Sequence, residues 1–144
     1  MKTRTSCLPI LVLVMLLPSL APGAGAGAES RLAERIMGNA GVKGGLIVHI
    51  GCGDGKLTAA LHTGEEYLVH GTDPDQANVD EARRHIRSLG LYGDVSVARL
   101  EGKHLPYVDD LVNLVVSRNL GDIPMDEVMR VLCPNGVAFI RENG

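Results

Sequence analysis

Ile47-Val48-His49-Ile50-Gly51-Cys52-Gly53-Asp54-Gly55 decides the reading of this chain. Apolar, β-forming residues run straight into glycines at alternate positions, and a short helical pattern begins at Lys56. A strand that ends in such a loop brings bare backbone close to a ligand, because a Cβ would block the approach or forbid the dihedrals. The loop therefore points to a nucleotide-like ligand. Two phosphate-loop patterns fail on it. A P-loop needs glycine at position 50 and Ser or Thr at position 57, where Ile50 and Leu57 stand. A dinucleotide fingerprint, as in an NAD-dependent dehydrogenase, needs glycine at position 56, where Lys56 stands.

Working outward, the chain alternates helical and strand patterns. Leu32, Ala33, Ile36 and Met37 recur at helical spacing and predict a helix over Glu29 to Asn39. Strands are expected at Leu46–Ile50, Tyr67–Thr72, Asp94–Leu100, Leu111–Ser117 and Val137–Ile140. Helices are expected at Lys56–His62, after the cap Asp75, and at Met125–Leu132, with Pro134-Asn135-Gly136 as a turn. Between the third and fourth strands lies a loop. This order implies an α/β fold: a doubly wound, Rossmann-like, mostly parallel sheet with five strands present. Such sheets usually carry more strands, so truncation after the fifth is expected.

Asp73 is the second element of a site. It closes the second strand behind the glycine loop, where a carboxylate can accept hydrogen bonds from the hydroxyls of a ribose. Capping the next helix is its alternative use.

Composition narrows the partners. The chain has 144 residues, 22% of them charged, with a net charge of -3. That is one domain at most, with enough chain for a core and no electrostatic bias toward nucleic acid or an anionic membrane. It has no Trp and one Phe, so stacking platforms for single-stranded nucleic acid are missing. Lys2 and Arg4, the apolar run Leu8–Leu17 and the small, flexible stretch Ala21–Ala28 match the plan of a secretory signal peptide. The apolar run falls short of the ~20 residues that span a bilayer. Residues 1–28 are therefore expected to leave by cleavage after Ala26 or Ala28, giving an exported (periplasmic or extracellular) protein with no membrane attachment and one domain over 29–144. Cys52 and Cys133 would then remain at opposite edges of the sheet, as free thiols. The five histidines show no ligand-like spacing, so no metal site is expected.

Taken together these residues resemble class I S-adenosylmethionine-dependent methyltransferases of the type 11/25 kind, over Leu46 to Glu142. Ile47–Gly55 is similar to that family's first motif and Val69-His70-Gly71-Thr72-Asp73-Pro74 to its second. Leu105-Pro106 with Val112–Ser117 after it resembles the family's Leu-Pro … Phe-Asp-x-Val-x-Ser run. Glu127–Gly136 resembles its Arg-Val-Leu-x-Pro-Gly-Gly turn. The resemblance implies S-adenosylmethionine as cofactor. It implies a cofactor-binding set of His49, Gly51, Cys52, Gly53, Gly55, Asp73, Pro74, Glu101 and Ser117. Gly51, Gly53 and Gly55 would wrap the methionine part, Asp73 would hold the ribose, and Glu101 would lie near the adenine amino group. Residues Ser117 to Leu120 would face the sulfonium and the substrate.

Two departures stand out. His49 and Asn113 occupy positions where the family usually has acids, and both count as losses from the cofactor site. No catalytic residue is nominated, since methyl transfer rests mostly on proximity and alignment. Ser117-Arg118-Asn119-Leu120 lacks the Asn/Asp-Pro-Pro-aromatic run of enzymes that methylate the amino groups of bases or glutamine. The acceptor expected is a small molecule. Arg118 is left with two uses, steering an anionic substrate or pairing on the surface. The alternative function is a non-catalytic, methyltransferase-like binding or interaction module. The chain also resembles, more loosely, front modules of larger exported bacterial proteins, which implies a C-terminal extension or a fused domain.

Overall fold

The computed structural model describes residues 24–141. The basic start and apolar run of the expected signal peptide lie outside the described residues. The elements are α1 (Ala24–Ala40), β1 (Gly45–Ile50), α2 (Lys56–Ala60), β2 (Tyr67–Asp73), α3 (Gln76–Ser88), β3 (Val95–Arg99), β4 (Val112–Ser117), α4 (Met125–Val131) and β5 (Leu132–Ile140). The strands form one sheet in the order β3-β2-β1-β4-β5, and every pairing is parallel. Strand order reverses beside β1, with β2 on one side and β4 on the other, which opens a crevice at the carboxyl edge.

β1 reads as a continuous apolar run because both its faces are covered. Ile47 packs with Leu114 and Val116 of β4, Ile36 of α1, Leu57 of α2, and Val79, Ala82 and Ile86 of α3. Val48 and Ile50 pack on the other face with Val115 of β4, Val128 and Val131 of α4, and Leu105 and Ile123 from loops. Ile47, Val48, Leu114 and Val115 have no solvent exposure. Burying each such side chain contributes about 1.5–3 kcal/mol.

No helix joins β3 to β4. The loop between them is held instead by Arg130 of α4, which donates to the carbonyls of Leu105 (3.1 Å) and Tyr107 (2.9 Å) and pairs with Asp109 (2.7 Å). Glu127 accepts from the Leu105 amide at 3.0 Å. Hydrogen bonds led by that from Arg130 hold the Glu127 carboxyl down at about 2.

Two elements differ from the sequence expectation. α1 begins at Ala24, so part of the stretch expected to be a flexible link belongs to the helix. Alanine has the highest helix propensity, and Ala33 and Ile36 anchor the later turns of the helix on the sheet. β5 starts at Leu132 and contains the Pro134-Asn135-Gly136 turn as an irregularity, with a register shift opposite Val112 and Leu114. Asn135 takes a φ of 65°, a left-handed conformation that Asn tolerates. Cys52 comes just after the carboxyl end of β1 and Cys133 lies near the amino end of β5, both as free thiols.

Asn113 corrects the sequence reading. It stands near the amino end of β4, across the sheet from the glycine loop, and is therefore no part of the cofactor crevice. Its Oδ1 accepts from the Leu46 amide at 2.9 Å, and its Nδ2 donates to Cys133 Sγ at 3.4 Å. The side chain is a strut from β1 to β5, and an acceptor oxygen is what the strut needs. Asn113→Ala strands the Leu46 N–H and is expected to cost about 1–3 kcal/mol. Asn113→Asp keeps the acceptor and is expected to cost less; urea unfolding of both variants checks this.

Candidate functional site

The crevice is built where β1 ends. The amides of Gly51 and Cys52 both donate to the Thr72 carbonyl, at 2.8 and 3.1 Å, which bends the chain across the end of β2. Gly51, Gly53 and Gly55 have φ values of 73°, 52° and 77°, in the region that favours glycine. Gly55 is also a close approach: a Cβ there would lie 2.7 Å from Ala82 Cβ on α3. At Gly53 a Cβ would meet no protein atom within 4 Å. The loop is pressed against α3 at Gly55 and left open at Gly53, as a ligand cradle requires.

Asp73 organises the loop. Its Oδ2 accepts from the Gly53 amide at 3.0 Å. Its Oδ1 accepts from the Asp75 amide at 2.9 Å and from Asn78 Nδ2 at 3.0 Å. The residue is 5% exposed. A carboxylate has about four acceptor positions, so about one stays free for a ligand hydroxyl. The helix cap itself is Asp75, which accepts from the Ala77 amide.

A cleft of about 490 Å³ opens in front of this carboxylate, between Gly51, Pro74, Leu100 and Ile123. Its far wall continues through Asn119 to Ile123, mostly beyond the stretch singled out from sequence. Around the other side of the loop lies a smaller recess of about 250 Å³, bounded by Glu29, His49, Gly53, Asp54 and Arg118. Gly51 lines both, so the two meet at the glycine loop.

His49 lies in the wall of the recess. Its Nδ1 is 2.8 Å from Thr58 Oγ1, and its Nε2 is buried with no partner. Burial, with help from the Arg118 charge, lowers the imidazole to about 4. The ring is neutral at pH 7 and available as a hydrogen-bonding group, which a carboxylate at this position would match only by also carrying charge. One guanidinium nitrogen of Arg118, Nη2, donates to both carboxylate oxygens of Glu29 of α1, at 2.8 and 2.9 Å. Of the two uses open to Arg118 from sequence, the surface pair is thus realised, and it brings a carboxylate to the recess beside His49. Glu29 has no sequence signal for this role, because it meets Arg118 only through tertiary folding.

The remaining expected residues divide. Pro74 lines the larger cleft and Cys52 the recess, where burial pushes the Cys52 thiol up to about 12, so it does not act as a thiolate. Glu101 is exposed and not in the cleft wall; its neighbours Leu100 and Gly102 are. Ser117 is buried, donates to the Ile50 carbonyl at 3.1 Å and accepts from the Asn119 amide at 3.2 Å. It therefore joins the ends of β1 and β4; it lies outside these two recesses and lines a third, between α1 and the ends of β4 and β5. Among the described residues no group of His, Cys, Asp and Glu is arranged to hold a metal ion.

The His49 ring yields a pH prediction. Folding lowers it from the usual 6.5 to about 4, so between those values the unfolded chain binds a proton that the folded chain excludes. Stability should therefore fall as pH drops from 6.5 to about 4, by up to about 3 kcal/mol from this ring. His49→Gln has nothing to titrate at that position, and urea midpoints across this range should depend less steeply on pH in the variant.

Comparison with known proteins agrees with this geometry. A family model described as "Methyltransferase domain" matches residues 47–136. The chain is 33% identical to methyltransferase GfsG of Streptomyces halstedii over 119 residues, which is 78% of this chain and 42% of that protein. It is also 33% identical over 99 residues to demethylmenaquinone methyltransferase of Lactobacillus johnsonii, covering 63% of this chain and 41% of that one. The chain thus spans about two fifths of the length of these curated relatives. Geranyl diphosphate C-methyltransferase of Streptomyces coelicolor, solved with S-adenosyl-L-homocysteine, shares the fold with a TM-score of 0.68. That match has 24% identity and covers 76% of this chain and 44% of that one. This chain belongs to the methyltransferase-domain family, whose cofactor is S-adenosylmethionine.

Proposed function

We propose that this chain holds S-adenosylmethionine across the carboxyl edge of its sheet and serves the transfer of its methyl group to a small molecule. The observation that carries the reading is the run of two recesses joined at Gly51, one with an ordered carboxylate and the other with a buried, unpartnered imidazole nitrogen. A molecule with a ribose at one end and an amino acid at the other suits that arrangement. The free acceptor position on Asp73 would take a ribose hydroxyl, and Pro74, Leu100 and Ile123 would flank the adenine. The methionine ammonium would donate to His49 Nε2 and Glu29, and Arg118 would take the carboxylate.

The bound cofactor supplies an electrophilic methyl group, which an acceptor nitrogen, oxygen, carbon or sulfur takes with its own electron pair. The protein's share is alignment and exclusion of water. No side chain of the site is set up as a nucleophile: the Cys52 thiol is held protonated and the Ser117 hydroxyl is engaged on both sides. A small acceptor is in keeping with the names of the relatives, which include demethylmenaquinone and geranyl diphosphate methyltransferases. A non-catalytic module loses one of its two residue-level supports, since Asn113 is not in the crevice, and Glu29 offsets the other.

Calorimetric titration tests the cofactor site. S-Adenosylhomocysteine is expected to give a saturating heat below millimolar concentration, and its absence would overturn the reading. Asp73→Asn should weaken binding by about tenfold or more, the worth of a hydrogen bond to a charged group.

For the N-terminal segment we propose export with cleavage after Ala26 or Ala28, either of which leaves Glu29 in place. Sequencing the amino terminus of the secreted protein should find Gly27 or Glu29; a cell-retained chain that still begins at Met1 would refute export.

A further inference from the structure

A third recess, of about 500 Å³, lies between α1 and the carboxyl ends of β4 and β5. Its apolar surface comes from Leu32 and Ile36 of α1, Val116 of β4 and Phe139 of β5. Three arginines share it: Arg35 of α1, Arg118 after β4 and Arg141 after β5. Val116 and Ile36 are buried, whereas the three arginines are exposed, so cationic heads rim an apolar floor. Leu57 and Arg118 line this recess and also the one beside His49, so the two are contiguous.

We infer that this recess takes the methyl acceptor and that the acceptor is an anionic amphiphile, an apolar body ending in a carboxylate or phosphate. The inference rests on the cofactor reading for the adjoining crevice. Three guanidinium groups gathered at one opening repel one another, in a chain whose net charge is -3. Glu29 neutralises Arg118, but Arg35 and Arg141 make no ion pair among the described residues. Guanidinium forks bind carboxylate and phosphate through paired hydrogen bonds, and an anion at the rim would relieve the repulsion. Covering the half-buried Leu32 and Phe139, which lie beside the buried Ile36 and Val116, favours an aliphatic or isoprenoid body over a sugar or a nucleotide.

The test uses the full chain without cofactor and three probes of equal length: decanoate, decyl phosphate and decan-1-ol, titrated by ligand-observed NMR. Both anions are expected to bind at least about tenfold more tightly than the alcohol. The double variant Arg35→Gln/Arg141→Gln should erase that difference, leaving the alcohol's affinity and the S-adenosylhomocysteine affinity unchanged. Leu32→Trp fills the recess and should weaken all three probes while sparing S-adenosylhomocysteine. Equal affinity for decanoate and decan-1-ol in the wild type, or an undiminished preference for the anions in the double variant, overturns the inference. If the probes behave as expected and S-adenosylhomocysteine does not bind, the cofactor reading fails and the anionic recess stands by itself.

Discussion

β1 is bonded to β2 on one side and to β4 on the other, and Ile47 and Val48 are closed off from solvent on its two faces. The chain leaving Ile50 can only go over the carboxyl edge of the sheet, at the point where strand order reverses. The whole crevice depends on this confinement. The glycine loop is pinned from below by the Thr72 carbonyl and from the side by Ala82, and its open part faces the crevice. The three recesses are the spaces left when α1 and the loops after β3 and β4 pack around that fixed turn.

Asp73 shows how one side chain can tie a fold together and still keep an acceptor position open. Its carboxylate ties the glycine loop to the start of α3 through three donors and keeps about one acceptor position for a ligand. A ligand hydroxyl at that position would meet a group that is already oriented, so little ordering remains to be done on binding. The helix-cap use that the sequence left open for Asp73 is not taken up, because Asp75 is the residue that caps α3.

The two departures from the family pattern have different physical meanings. Asn113 exchanges a charge for an amide at a place where only an acceptor oxygen is needed, across the sheet from the crevice. His49 exchanges a carboxylate for a neutral ring that is tethered at one nitrogen and open at the other. Within the same recess Glu29 contributes a carboxylate from a different element, paired to Arg118. In this recess the carboxylate comes from the covering helix and not from the strand.

Periodicity and motif order made the strands, their parallel arrangement and the glycine loop legible, because these obey local rules: two-faced burial, backbone dihedrals, and the positions of capping and turn residues. That Gly51, Gly53, Gly55, Asp73 and Pro74 gather at the carboxyl edge of the sheet was readable for the same reason. Sequence could not show that Asn113 lies across the sheet from the crevice that His49 borders, or that Leu100 and Gly102, on either side of the exposed Glu101, form the cleft wall. Nor could it show that Glu29 reaches Arg118, or that Arg35, Arg118 and Arg141 rim a single apolar recess. Those relations join residues far apart in the chain, and they exist only once α1 has packed on the sheet. Local sequence determined which strand ends in a glycine loop; tertiary packing decided which charges surround it, because charge interacts through space and not along the chain.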